Sequence, residues 1–162
     1  MQPPKARVLV SFHQVDTRFL DPLETQLRLL ERQGYVHWWS RHDVVAGDDP
    51  SASFATALVL ADIVLVLVSS DYLANDTCWS VELGRAFELH DEGTVRVIPV
   101  LVRTSRWQET PVARVQFLPR DGRAIACRER DSAWVTVAEE IALAIKHWRS
   151  DPSRRFMGFD PD

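Results

Sequence analysis

Short, continuous apolar runs alternate along this chain with stripes of helical period. Val8, Leu9 and Val10 lie within Arg7 to Phe12, and Ile63 to Val68 is apolar throughout. Runs of this kind predict strands buried on both faces of a sheet. Tyr35 to Trp39 and Val95 to Val102 read as two more, with Pro99 predicting a strand end or a bulge in the second. Arg123 to Cys127 predicts a short fifth strand. Leu20, Leu23, Leu27 and Leu30 share one helical stripe, ended by Gly34. That helix starts either at an Asp21 cap with Pro22 in the first turn, or near Asp16 with Pro22 inside. Ser51 to Leu60 predicts a short helix, and Thr77 to Glu92 a longer one stopped by Gly93. A last helix, capped by Asp131 or Ser132, carries Trp134, Val137, Ile141, Ile145 and Trp148 on one face. Ser40 to Pro50, Ser69 to Asn75 and Arg103 to Asp121 read as loops.

Strands alternating with helices predict an α/β fold whose parallel sheet is covered on both faces. Right-handed crossovers leave few topologies. The expected one is a flavodoxin-like three-layer sandwich, with five parallel strands in the order 2-1-3-4-5. Such a sheet binds ligands outside the carboxyl ends of its strands, where the chain reverses direction of travel. Here that crevice lies between strands one and three. Its expected walls are Ser11 to His13, the loop Ser40 to Pro50, and Ser69 to Glu82.

The chain has 162 residues, 46% of them hydrophobic, which suffices for one domain with a real core. The domain is expected over residues 1–149, with a Pro- and charge-rich linker or tail over 150–162. A net charge of −4 gives no electrostatic footprint for nucleic acid. The longest apolar run is far too short for a bilayer, which needs roughly 20 residues. No signal peptide precedes the first strand, and two cysteines make no disulfide framework, so a cytoplasmic location is expected.

The candidate chemistry centres on Glu82. Cys78 and Trp79 precede it by four and three residues, so in an α-helix all three share a face. A carboxylate beside an indole at the strand ends suits a cationic, sugar-bearing substrate. The ordinary alternative is a solvent-facing glutamate paired with Arg85 one turn on. Cys78 has no evident base beside it and reads as a pocket wall rather than a nucleophile. No glycine-rich phosphate loop, nucleophile elbow or metal spacing among the five histidines (13, 37, 42, 90, 147) is present.

In order along the chain, these segments resemble the Toll/interleukin-1 receptor (TIR) domain of the bacterial effector type, from about Lys5 to Trp148. Val10-Ser11-Phe12-His13 sits where that family has its first-strand box. Trp38-Trp39-Ser40-Arg41, with Gly47 beyond it, resembles the W-x-D-R pattern and the mobile BB loop. Ala61 to Ser69 with Asp71-Tyr72-Leu73 resembles the third-strand box, and Cys78-Trp79-Ser80-Val81-Glu82-Leu83 the cysteine-to-glutamate helix. Arg96 to Leu101, Leu118-Pro119 and Asp131 to Trp134 resemble the remaining boxes. Two positions depart: Ser40 stands where many bacterial relatives have Asp, and Pro50 where they have Trp.

Enzymatic members of that family cleave the nicotinamide–ribose bond of NAD+. The resemblance therefore implies an NAD+ glycohydrolase with Glu82 as catalytic residue, giving nicotinamide plus ADP-ribose or a cyclic isomer. NAD+ would be a consumed substrate, with no cofactor and no metal. Phe12, His13, Trp39, Arg41, Asp43, Ser70, Cys78 and Trp79 are the implied substrate-binding set. Trp79 would stack on nicotinamide or adenine unless it is a core tryptophan, and Trp39 would support the loop. The resemblance also implies self-association through the loop 40–50, a sensor module in this chain or another, and a role in antiphage defence. The alternative it carries is a non-enzymatic adaptor acting through TIR–TIR contacts.

Overall fold

The computed structural model describes residues 3–151. Four parallel strands form one sheet in the order β2-β1-β3-β4: Ala6–Ser11 (β1), Val36–Trp39 (β2), Ile63–Val68 (β3) and Arg96–Leu101 (β4). Val8 is in register with Trp38 on one side and Ile63 on the other, and Leu65 with Ile98. The expected α/β flavodoxin-like architecture is therefore present, with the switch point between β1 and β3.

Successive side chains of each strand enter opposite faces. Val8, Val10, Leu65 and Leu67 pack with α1 (Thr17–Arg32) and α5 (Arg130–Arg149). Leu9, Val64, Val66 and Val68 pack on the other face with α2 (Pro50–Leu60) and with α4 (Arg85–Asp91). Helix α1 begins at Thr17 and contains Pro22. The earlier start is the one that buries Phe19 and Leu20, both almost fully shielded, and that burial outweighs one missing backbone bond. Gly34 follows α1 with φ +84°, a conformation that disfavours any side chain. Gly34→Ala is expected to lower stability by about 1–2 kcal/mol, measurable as a shift in the urea midpoint at unchanged slope.

Several elements differ from expectation. Arg123 to Cys127 forms no fifth strand; Ile125–Cys127 is a 3₁₀ turn instead. Among the described residues, the place beside β4 is taken at one point, where Leu118 N donates to Pro99 O and Leu101 N donates to Leu118 O. Pro119 follows and has no N–H with which to extend the ladder. Pro99 makes no bulge: β4 stays in unbroken register with β3. Its ring nitrogen faces the outer edge, on the same side as its carbonyl, so no bond to β3 is lost. Two places further back on that edge, the Val97 N–H donates to Nδ1 of His90 at 3.2 Å.

The segment Ser69 to Asn75 is not a plain loop, because Ser70–Ala74 forms a short helix (α3) capped by the Ser69 hydroxyl. Thr77–Gly84 is π-helical and leads into α4, so the expected single α-helix is two geometries in series. The α5 cap is Glu129, whose carboxylate accepts from the Asp131 and Ser132 amides. The loop after β2 includes a 3₁₀ turn, Arg41–Asp43. No described helix is long and apolar enough to cross a membrane. Of the expected tail, residues 152–162 lie outside the described residues.

Candidate active site

At the carboxyl ends of β1 and β3 the chain gathers polar groups in an otherwise apolar layer. Ser11, the last residue of β1, is buried, and its hydroxyl donates to Glu82 Oε1 at 2.7 Å. Ser11 Oγ also lies 2.7 Å from the hydroxyl of Tyr72, a fully enclosed residue of α3. A hydroxyl has one proton and two lone pairs. With the Ser11 proton committed to Glu82, Tyr72 supplies the proton of the second bond. The result is a chain Tyr72 → Ser11 → Glu82, anchored in the core at two strand ends.

Glu82 is only 3% exposed, a depth at which carboxylates are seldom found without partners. Its second oxygen, Oε2, accepts from Arg41 Nη1 at 2.9 Å. Arg41 comes from the turn after β2, and its Nη2 donates to the Phe12 carbonyl. The guanidinium carbon sits 5.2 Å from the Phe12 ring centre, within cation–π range. The turn carrying Arg41 is itself fixed: the Ser40 hydroxyl accepts from His42 N, and Asp43 accepts from Ser40 N at 2.9 Å.

Burial pushes the Glu82 carboxyl above its ordinary range, while Arg41, Ser11 and His13 pull the other way. A raised folded-state value means ionisation costs more in the folded chain than in the unfolded one. That penalty is absent below the ordinary value of 4.5, grows as pH rises from there to the folded value, and is complete above it. Glutamine resembles the neutral acid. Glu82→Gln is therefore expected to melt no lower than the native chain at pH 7, with any advantage vanishing below about pH 4.5. A series of melting curves across pH checks this.

Burial, reinforced by the Glu82 charge, pushes the Cys78 thiol up to about 12. It is a neutral wall at physiological pH, not a nucleophile. A crevice of about 510 Å³ opens above these groups, lined by Phe12, His13, Gln14, Arg41, His42, Pro50, Asn75, Thr77 and Cys78. Glu82 lies beneath this lining, behind Arg41.

The structure thus brings together Glu82, Arg41, Phe12, His13 and Cys78. It does not bring Trp79 to them. Cys78 and Glu82 are buried, but Trp79 is 41% exposed and lines no part of the crevice. A π-helical turn takes more than four residues. Residues four apart stay nearly aligned, and a residue three apart falls off the shared face. Its exposure removes the core-tryptophan alternative. Arg85 does not pair with Glu82 either; it pairs with Glu88 at 2.8 Å. Ser70 points elsewhere, to the Thr104 carbonyl at 3.4 Å. Asp43 is spent on its own turn, and half-buried Trp39 packs against the core on the α2 side.

Sequence reasoning missed the Ser11–Tyr72 relay and a second network beside it. Asp16, fully buried, accepts from Ser69 Oγ at 2.5 Å and from Arg103 Nε at 2.6 Å. Arg103 also reaches Asp71. These contacts tie the loops after β1, β3 and β4 together. A short polar residue ending each apolar strand was the signal available for Ser11 and Ser69; nothing local marks Arg103.

Comparison with known proteins agrees with this fold. The family model described as TIR domain matches residues 8–141. The uncharacterized protein y4lF of Sinorhizobium fredii (strain NBRC 101917 / NGR234) is 35% identical over 138 residues, which is 85% of this chain. The chain spans only 43% of that relative's length. Among solved structures, the fold resembles the TIR domain of the Toll-related receptor TRR-2 from Hydra magnipapillata. That match has a TM-score of 0.54 at 19% identity, covering 83% of this chain and 96% of the other. It also resembles the TIR domains of the activated Roq1 resistosome that directly recognizes the pathogen effector XopQ. There the TM-score is 0.53 at 20% identity, covering 93% and 94%. With a family model spanning most of its length and a relative above 30% identity, this chain belongs to the TIR domain family.

Proposed function

We propose that this domain is an NAD+ glycohydrolase, cleaving the nicotinamide–ribose bond to release nicotinamide and ADP-ribose or a cyclic isomer. The observation that carries the reading is Glu82: a buried, hydrogen-bonded carboxylate beneath the crevice at the β1–β3 switch point. Scission passes through an oxocarbenium-like state with positive charge spread over the ribose. Nicotinamide leaves as a neutral base, so no strong general acid is needed. A fixed carboxylate facing that growing charge stabilises it without reorganisation. Its burial raises the electrostatic effect, since little water screens it. In this reading Phe12, His13, Arg41 and Cys78 form the substrate's surroundings, and Trp39 and Asp43 hold the loop.

Assembly belongs to the same reading. The loop 40–50 that carries Arg41 is the surface through which copies would associate, and a cytoplasmic immune role, with a sensor module in a longer protein, follows from it. One observation favours the adaptor alternative: both Glu82 oxygens are already engaged by the domain's own side chains. A single assay separates the two. NAD+ consumption is measured at low and high protein concentration, with forced clustering and with Glu82→Gln alongside. Turnover that depends on Glu82 supports the enzyme; none under any condition supports the adaptor.

A further inference from the structure

Glu82 is held by two partners of different character. Ser11 is 1% exposed, ends a central strand, and is backed by Tyr72. It has nowhere to go. Arg41 reaches in from a loop, and its side chain is 27% exposed. Arg41, which lines the crevice while Glu82 does not, is the partner that a ligand approaching the carboxylate can displace. The guanidinium is always charged and carries its donors in a fixed fork. Leaving Glu82 and the Phe12 carbonyl gives up charge-assisted bonds, and an anion replaces them better than water does.

The crevice is built for such an acceptor. Its lining holds Arg41, His13 and His42, with Gln14, Asn75 and Thr77 as neutral donors, and contains no carboxylate. Glu82, held by Arg41, is the carboxylate that engages the guanidinium, while Asp16, Asp43 and Asp71 stand around the lining rather than in it. A phosphate or diphosphate entering here meets several donors, and its competitor for Arg41 is Glu82. Resting on the reading of this crevice as a nucleotide site, we propose that Arg41 is a specificity-determining exchange residue: it releases Glu82 only by transferring its guanidinium to the ligand's diphosphate. Phosphate recognition and exposure of the carboxylate become one event. Ligands without phosphate leave the latch shut, so a nicotinamide riboside lacking the adenylate half gains no access to Glu82.

The test is a binding cycle with ADP as probe and adenosine as the phosphate-free control, read by calorimetry on folded protein. Glu82→Gln removes Arg41's internal anion. It is expected to bind ADP about tenfold or more tightly than the native chain, with adenosine unchanged. Arg41→Gln is expected to lose ADP binding by a similar factor or more. In the Arg41→Gln background, Glu82→Gln is expected to change ADP affinity little, because the competition runs through the guanidinium. Equal or weaker ADP binding by Glu82→Gln overturns the proposal, as does undetectable binding in both. A gain that persists without Arg41 also overturns it, since it would reflect only the general field of the carboxylate. Because no turnover is read, the outcome is separable from the hydrolase reading: the full pattern without NAD+ cleavage keeps the exchange and removes the hydrolysis.

Discussion

Glu82→Gln is expected to lower NAD+ cleavage by about 10²–10³-fold while leaving the circular dichroism spectrum and melting temperature essentially native. The size of the loss follows from what glutamine retains. It keeps the shape, and its amide oxygen can accept from Ser11, so the crevice stays formed. It lacks the negative charge that faces the ribose as the bond opens. An interaction used mainly in the transition state lowers kcat and kcat/KM together. The expected signature is therefore a fall in kcat, with KM lowered rather than raised because Arg41 is freed for the diphosphate, read by chromatography of nicotinamide release. Full activity in this variant would remove Glu82 from the chemistry.

Trp134→Ala is expected to destabilise the chain by about 3–5 kcal/mol, the range for deleting a large buried aromatic. Trp134 is 1% exposed and belongs to the core cluster that joins α5 to β1, β3 and α1. Domains of this kind have only about 5–15 kcal/mol to lose. Much of the population would unfold in mild denaturant, with a lowered midpoint in urea. Val135, the next residue, is 45% exposed, and Val135→Ala should stay within about 0.5 kcal/mol. That contrast between neighbours tests the burial assignment of α5 directly.

The parts of the fold legible in the sequence are those with a local signature. Ile63 to Val68 and Val8 to Val10 announce central strands because a strand buried on both faces has no polar position to spare. The α5 stripe is legible because five large apolar residues recur at helical spacing. The fifth strand failed for want of such a signature: Ala124 and Ile125 are buried but Cys127 is exposed, and five residues fix no period. The π-helical turn has no residue code at all, so Trp79 was placed on the wrong face. Glu82 was legible as a candidate because its neighbours form a familiar order. The groups that hold it were not, because Ser11 lies 71 residues from Glu82 and 61 from Tyr72. Spacing cannot report a contact that only the crossovers of the sheet create.

The outer edge of β4 bears on a different matter, the choice between two ways of sticking together. An open strand edge is a template for any passing strand, and chains that work in clusters meet high local concentrations of themselves. Here two successive donors on that edge are withheld: Pro99 has no N–H, and the Val97 N–H is already given to His90. Burial holds the His90 imidazole below its ordinary range, so it remains a neutral acceptor further into the acid than a free histidine. Edge-to-edge growth into amyloid-like sheets is thereby starved of hydrogen bonds at neutral pH. Loops and helices remain the surfaces through which copies can meet in order. Below the range in which His90 takes up a proton, the acceptor is lost and one of the two safeguards goes with it. Acid storage of the pure domain should accordingly favour fibrillar precipitates over reversible assemblies.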